Sequence, residues 1–305
     1  MLLVVLIAFL AGPPEDRWVT LSAAESLHVE IAGRGQPVVL IPGLFGSAFG
    51  YRHVVPLLVS LGYRTIVIEP LAIGRSSRPA GADYSASAQA ERIAAVLDSL
   101  HVRRALVIAH SAAASEAFRM AYRRPDLLAG MLSIESGPAE TVATPGFRHA
   151  MRFAPLLRYL GVGLLRRKIR GELIAASGDP RWVTDDVVRG FTAPAELDLG
   201  GTLRAFRAMS RAAEPESLAP HLHEIQAPVC LLVGTARHDA GVQGEEIAFM
   251  QRTLRSFSVE TVPGAGHYLQ EERPSAVVEA VEHLRQRVAA TGDRDRVTKE
   301  SGDER

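Results

Sequence analysis

The chain has 305 residues, and its 34 basic and 34 acidic side chains give a formal net charge of zero. That length fits one large α/β domain with an insertion, or two small domains. The balanced charge argues against a nucleic-acid partner, which requires a basic surplus on one face. A single cysteine, Cys230, excludes an intrachain disulfide.

An almost wholly apolar stretch covers residues 1–11 and is followed by Gly12-Pro13-Pro14. It is too short to span a bilayer, but its length suits the apolar region of a signal peptide. No basic residue precedes it, and no small-x-small cleavage site follows. We treat residues 1–14 as a separate segment and slightly favour export. A weak membrane anchor or an extra element of a cytoplasmic protein remain the alternatives.

Short apolar runs then alternate with amphipathic helical patterns. The predicted strands are an edge strand over residues 20–32 and buried strands over residues 37–41, 63–69, 105–109 and 128–135, and the predicted helices cover residues 54–61, 86–100 and 112–122. Strands that are apolar on both faces and separated by helices indicate a mainly parallel, doubly wound sheet with helices on both sides. The fold class is therefore α/β.

The alternation stops at residue 138. Residues 138–220 carry helical patterns without a buried strand, which predicts a helical cap inserted into the α/β core. The core pattern resumes in residues 221–290, with strands at 228–233 and 259–262 and helices at 244–254 and 274–289. The core thus comprises residues 15–137 and 221–290. Residues 291–305 are polar, lack an apolar period and are expected to be disordered.

Ser111 lies directly between a predicted buried strand and a helix, in the stretch Ala109-His110-Ser111-Ala112-Ala113. Alone, such a serine is most simply a helix N-cap. A sharp strand-to-helix turn also lifts a serine hydroxyl above the edge of the sheet, where a base can remove its proton. The turn is crowded, and it requires small neighbours such as these alanines. We predict that Ser111 is a nucleophile.

Three further loops at strand ends supply the groups that a nucleophilic serine needs. The glycine-containing loop at Gly43 can present the backbone N–H of Leu44 to an oxyanion, together with that of Ala112. His267 follows two glycines in a compact loop and is the predicted base. Asp239 follows the strand at residues 228–233 and is the predicted acid that orients the imidazole.

Taken together, these stretches resemble the α/β-hydrolase superfamily over residues 36–284. The similarity is to its cap-bearing branch, which contains esterases, C–C bond hydrolases, haloperoxidase-like enzymes and epoxide hydrolases. The matching motifs are residues 39–43, with Pro42 where the branch usually has histidine, residues 69–76, with Glu69 in place of aspartate, residues 109–111, and residues 262–267. The chain order Ser111, Asp239, His267 is also that of the superfamily.

The resemblance implies an α/β-hydrolase fold and a cofactor-free Ser-His-Asp triad. Epoxide hydrolases and haloalkane dehalogenases of this branch carry aspartate at the elbow, so Ser111 favours transfer of an acyl group to water. We expect hydrolysis of carboxylic esters. The alternatives are a C–C bond hydrolase of the same fold and a non-catalytic ligand-binding protein. Glu135, at the end of a predicted strand, is a reserve acid.

The expected partner is a small apolar ester or related acyl substrate, bound by a monomer or homodimer. Apolar residues in the insertion suggest that the cap lines the pocket. The predicted substrate-binding residues are Gly43, Phe45, His110, Phe153, Phe191 and Phe206. We expect no metal site, because His221 and His223 have no acidic or cysteine cluster nearby in the sequence.

Overall fold

The computed structural model describes residues 14–141, 145–152, 161–239 and 241–300. Phe153 and residues 1–13 lie outside these ranges. The predictions that Phe153 binds substrate and that the apolar N-terminal segment is an export signal therefore fall outside the described residues. Within the described ranges, no helix combines the length and apolar character needed to cross a membrane.

One eight-stranded sheet forms the centre of the fold. Its strands are β1 (Glu15–Thr20), β2 (Ser26–Gly33), β3 (Pro37–Ile41), β4 (Arg64–Ile68), β5 (Ala105–His110), β6 (Leu128–Ile134), β7 (Val229–Gly234) and β8 (Phe257–Val262). The spatial order is β1-β2-β4-β3-β5-β6-β7-β8. The β1–β2 and β2–β4 pairs are antiparallel and every other pair is parallel, which confirms the predicted fold class.

Both faces of the central strands are buried, which explains their continuous apolar sequences. In β3, Val39 and Ile41 enter one hydrophobic core, while Val38 and Leu40 enter a second core on the opposite face. The alternation follows from the two-residue period of a strand. Full burial of each such side chain stabilises the fold by about 1.5–3 kcal/mol.

Helices cover the two faces and form the insertion. They are α1 (Val54–Ser60), α2 (Ala86–Ser99), α3 (Ala113–Arg123), α4 (Pro145–Arg152), α5 (Gly161–Ala175), α6 (Asp185–Leu197), α7 (Leu199–Met209), α8 (Gly244–Thr253), α9 (Leu269–Glu272) and α10 (Pro274–Glu300). Leu58 of α1 and Val281 of α10 share one core, whereas Ile93 of α2 and Phe118 of α3 belong to the other. The sheet is therefore enclosed between two helical layers.

The edge strand predicted for residues 20–32 is a hairpin in the structure, so that prediction was wrong in its boundaries. Strand β1 ends at Thr20, and the turn begins where Leu21 N donates to Glu25 O over 2.8 Å. The Ser22 hydroxyl accepts hydrogen bonds from the backbone N–H groups of Ala24 and Glu25. A serine that satisfies backbone donors in this way favours a turn over a continuous strand.

The insertion between β6 and β7 contains helices α4 to α7, and no strand occurs in its described portion, residues 138–141, 145–152 and 161–220. It has a small hydrophobic cluster of its own, formed by Ile169, Leu173, Val183, Val187, Val188 and Phe191. Other insertion residues, among them Leu203, Phe206 and Met209, belong to the main core, so the insertion packs directly against the α/β core.

The last helix is longer than its sequence pattern predicts. Helix α10 continues to Glu300, so residues 291–300 are helical instead of disordered, and residues 301–305 lie outside the described ranges. Extending an existing helix needs no new nucleation, which is the costly step of helix formation. The apolar period therefore ends near Ala289, whereas the helix itself runs further.

Candidate active site

Ser111 occupies a strained turn between β5 and α3. Its φ angle is 54°, in the left-handed region that residues with a side chain rarely adopt. Two hydrogen bonds hold this backbone, from Ser111 N to Ile134 O and from Ala114 N to Ser111 O, each 2.9 Å long. Strain of this kind costs about 1–3 kcal/mol and is concentrated at functional sites.

Gly43 brings the loop after β3 directly against this turn. A Cβ atom on Gly43 would lie 2.6 Å from the backbone oxygen of His110 and 3.3 Å from the backbone nitrogen of Ala112. Only glycine permits that approach. Gly43, Leu44 and Ala112 line one cavity, of about 270 Å³ including space open to solvent, so the residues that carry the two predicted oxyanion donors lie close together.

Glu69 anchors the loop that contains Gly43, a role that the sequence did not reveal. Its buried carboxylate accepts a hydrogen bond from Ala48 N over 2.7 Å and another from Arg75 N over 2.5 Å. His28 Nδ1 lies 2.9 Å from the same carboxylate. In the sequence, Glu69 was recognised as the first residue of a family motif at the end of an apolar strand, but the motif did not indicate this role.

His267 is buried, with 7% of its surface exposed, and its Nδ1 atom has no hydrogen-bond partner among the described residues. Burial holds the pKa of His267 well below its usual value, and the neighbouring His110 and His238 lower that pKa further. The imidazole is therefore neutral at pH 7 and able to accept a proton. The backbone N–H of His267 donates to Ala176 O in the cap over 2.7 Å.

His110 was predicted to contact substrate, and in the structure its ring packs against that of His267, with ring centroids 4.8 Å apart. Its ring is buried and its Nε2 atom donates to the backbone oxygen of His267 over 2.9 Å. Burial lowers the pKa of His110 to about 4, so the ring is neutral. The hydrogen bond to the His267 backbone ties the end of β5 to the loop that carries His267.

A buried glutamate lies beside two histidines at this edge of the sheet. The ligand atoms of Glu135, His238 and His267 lie within 4.8 Å of one another, a spacing at which they could also share a metal ion. Glu135 follows β6, is 2% exposed and has a φ of 56°. Its carboxylate accepts a hydrogen bond from Gly234 N and lies 3.3 Å from His238 Nε2.

The electrostatic setting of these groups is dominated by their burial. Burial raises the pKa of Glu135 to about 7, although the Gly234 N–H partly offsets that effect. Burial also lowers the pKa of His238. The site therefore favours neutral imidazoles and an acid that ionises close to neutral pH.

Asp239, the acid predicted from the sequence, lies in an exposed turn after β7. Within the described part of the chain, its carboxylate makes no hydrogen bond or ion pair. His238, the residue before it, is directed inward, with 3% of its side chain exposed. The structure thus brings Ser111, the Gly43 loop and His267 to one edge of the sheet, where the buried Glu135 lies close to His267, whereas Asp239 is exposed.

A second cleft, of about 370 Å³ and open to solvent, lies between the core and the cap. Phe45, Phe191 and Phe206 line it, so three of the predicted substrate-binding phenylalanines share one wall. The rings of Phe45 and Phe206 meet edge to face with centroids 5.0 Å apart. The cleft is therefore suited to an apolar ligand group.

Comparison with known proteins agrees with this fold. A family model described as the alpha/beta hydrolase family matches residues 38–280. The chain belongs to the α/β hydrolase family. This α/β hydrolase is also similar in structure to Cfl2 from Burkholderia cenocepacia, with a TM-score of 0.73 and 22% identity, covering 89% of this chain and 96% of that one.

Two relatives carry names with different activities. The sn-1-specific diacylglycerol lipase ABHD11 of Mus musculus is 23% identical over 255 residues, which covers 80% of this chain and 79% of the relative. Epoxide hydrolase A of Mycobacterium tuberculosis is 25% identical over 324 aligned positions, covering 88% of this chain and 97% of the relative. Membership of the family therefore establishes a hydrolase but leaves the type of bond open.

Proposed function

We propose that this α/β hydrolase is a cofactor-free serine hydrolase of carboxylic esters that carry an apolar group. The observation that carries the proposal is Ser111 in a left-handed turn between β5 and α3, against the glycine loop at Gly43. That turn exposes a nucleophile at the edge of the sheet and directs the start of a helix towards the reacting carbonyl. A serine nucleophile there is suited to forming an acyl-enzyme.

In the proposed reaction, neutral His267 takes the proton of Ser111 as the Ser111 oxygen attacks the ester carbonyl carbon. The backbone N–H groups of Leu44 and Ala112 stabilise the negative charge on the carbonyl oxygen. The tetrahedral intermediate expels the alcohol, which receives the proton from His267. Water then loses a proton to His267 and attacks the acyl-enzyme, which releases the carboxylic acid and restores Ser111.

We assign the orienting acid to Glu135 in place of Asp239. An acid in this role must be buried and close to the Nδ1 atom of the base, so that it fixes the tautomer and stabilises the imidazolium. Glu135 is buried within 4.8 Å of a ring nitrogen of His267, whereas Asp239 is exposed. The Nδ1 atom of His267, which has no partner among the described residues, would donate a hydrogen bond to the Glu135 carboxylate.

The apolar part of the substrate is assigned to the cleft beneath the cap. Phe45, Phe191 and Phe206 line this cleft together with Arg78, and contact with the three aromatic rings favours an alkyl or aryl group. The named lipase relative supports an ester bond. Because another relative is named as an epoxide hydrolase, epoxides must be tested as the alternative substrate class.

The experiment offers the purified protein p-nitrophenyl esters of increasing acyl length, styrene oxide and 1-chlorobutane in parallel. We expect turnover of the esters, with kcat/KM rising with chain length until the cleft is filled, and no turnover of the epoxide or the haloalkane. Diol or halide release in the absence of ester hydrolysis would overturn the proposal.

A further inference from the structure

A buried glutamate on α3 is not used by the proposed reaction. Glu116 lies five residues after Ser111 and is 6% exposed. Its Oε2 atom is buried and has no hydrogen-bond partner among the described residues. Native proteins pair nearly all buried polar atoms, so an unpaired carboxylate oxygen calls for a ligand or another explanation.

Glu116 lines the cavity of about 270 Å³ that also contains Gly43, Leu44 and Ala112. A substrate whose carbonyl oxygen is held by the Leu44 and Ala112 amides would therefore bind at a cavity that Glu116 also lines. The rest of this wall includes apolar side chains, among them Ile73 and Met209.

The other polar side chains of the wall already have partners. The Gln89 side-chain amide donates to Leu71 O over 2.9 Å and accepts from Leu71 N over 3.1 Å. The Tyr84 hydroxyl donates to Pro79 O over 2.8 Å. Among the described residues that line the cavity, Glu116 is thus the one with a buried side-chain polar atom that has no partner.

The chemistry of this group is that of a neutral carboxylic acid. Burial raises the pKa of Glu116 to about 8, and the nearby charge of Glu214 raises it further, against the opposing effect of Arg119 and Arg92. At neutral pH the side chain therefore carries an O–H donor. A buried donor surrounded by apolar groups is left unpaired by a purely hydrocarbon ligand. It therefore favours a ligand that places a hydrogen-bond acceptor beside it.

We propose that Glu116 is a specificity-determining residue, whose carboxylic acid donates a hydrogen bond to an uncharged oxygen atom in the substrate chain that enters this cavity. The proposal rests on the proposed ester hydrolysis and narrows its substrate class. The preferred esters carry an ether, hydroxyl or carbonyl oxygen a few bonds from the scissile carbonyl, in addition to the apolar group held beneath the cap.

The test compares isosteric esters in which one CH₂ is replaced by an ether oxygen. The acyl series is p-nitrophenyl hexanoate against its analogues with oxygen at chain position 3, 4 or 5, and the alcohol series is hexyl acetate against 2-propoxyethyl acetate. Each kcat/KM is divided by the rate constant of spontaneous hydrolysis, which removes differences in intrinsic reactivity.

We expect the unmodified protein to prefer at least one ether ester over its all-carbon partner by about tenfold, the value of one neutral hydrogen bond. Glu116→Gln keeps a hydrogen-bond donor and should retain the preference. In Glu116→Met, the corrected kcat/KM of the ether ester divided by that of its all-carbon partner should fall to one or below. Equal ratios in the unmodified protein and Glu116→Met would overturn the inference. Failure to hydrolyse any ester would instead reject the proposed function, so the two failures are distinguishable.

Discussion

Oε2 of Glu135 lies 3.3 Å from Nε2 of His238, while Nδ1 of His267 nearby has no hydrogen-bond partner among the described residues. One ligand atom from each of Glu135, His238 and His267 lies within 4.8 Å of the others. The Glu135 carboxylate is therefore close to both imidazoles. In the proposed reaction, Glu135 must reach His267 when the imidazolium forms.

The first prediction concerns the acid. Glu135→Gln cannot stabilise the imidazolium of His267, so we expect kcat for the preferred p-nitrophenyl ester to fall by about 10³–10⁴-fold, as for the loss of an orienting acid in a serine triad. The matched control is Asp239→Asn, which removes an exposed carboxylate and should leave kcat within about twofold. The reverse outcome, with Asp239→Asn inactive and Glu135→Gln active, would restore Asp239 as the acid.

The second prediction concerns the approach of the Gly43 loop to the turn at Ser111. In Gly43→Ala the new Cβ would meet the His110 backbone oxygen at 2.6 Å, so the loop and the Leu44 N–H must move away. Loss of one oxyanion donor lowers kcat by about 10²–10³-fold, and we expect a fall of that order with a smaller change in KM. The control is Gly244→Ala, because a Cβ on Gly244 meets nothing within 4 Å. Full activity in Gly43→Ala would argue against this loop as the oxyanion site.

The third prediction concerns the junction of the cap and the His267 loop. The Glu272 carboxylate accepts hydrogen bonds from the backbone N–H groups of Gly178 and Asp179 in the cap, each over 2.9 Å, and from Gly266 N over 3.0 Å. Glu272→Gln replaces one of these two acceptor oxygens by an NH₂ group, which should reduce the free energy of unfolding by about 1–3 kcal/mol and lower kcat. The control variant is Glu279→Gln, because Glu279 is exposed. Equal melting temperatures for Glu272→Gln and Glu279→Gln would show that the Glu272 hydrogen bonds do not stabilise the junction of the cap and the His267 loop.

The fourth prediction concerns pH. The pKa of Glu116 is about 8 in the folded protein against 4.5 for an ordinary glutamate. Between these values the unfolded chain has lost a proton that the folded protein keeps, so Glu116 makes the free energy of unfolding fall as pH rises from about 4.5 to 8. Since each tenfold change in an ionisation constant corresponds to about 1.4 kcal/mol, the full effect amounts to several kcal/mol.

Urea unfolding of the unmodified protein and Glu116→Gln at pH 5, 6, 7 and 8 measures this contribution. The unfolding free energy of the variant should decline less with pH, and the difference between the two curves should grow towards pH 8. Parallel curves would show that Glu116 ionises normally in the folded protein.

Much of the core could be predicted because its signals are local. Residues 37–41 and 105–109 are apolar at every position, as a strand buried on both faces requires, and both became strands of the parallel region. The turn at Ser111 was recognised from a serine with small neighbours between a strand and a helix. These features depend on adjacent residues and on the backbone periods of strands and helices.

The acid could not be chosen from the sequence, because two strand ends carry an acidic residue. Which one reaches His267 depends on side-chain direction in the loop after β7, where His238 is directed inward and Asp239 faces solvent. Glu116 was missed for a related reason. A glutamate on a helix is ordinarily solvated, and only the packing of α3 between the sheet and the cavity buries it.

The role of Ser111 as nucleophile is tested most directly by covalent labelling. The unmodified protein and Ser111→Ala are each treated with a fluorophosphonate and examined by intact-protein and peptide mass spectrometry, with p-nitrophenyl ester turnover measured on the same samples. We predict one phosphonyl group per chain of the unmodified protein, located on Ser111, with loss of turnover, and neither label nor turnover in Ser111→Ala. Undiminished ester turnover in Ser111→Ala, or a label on another residue, would contradict the assignment.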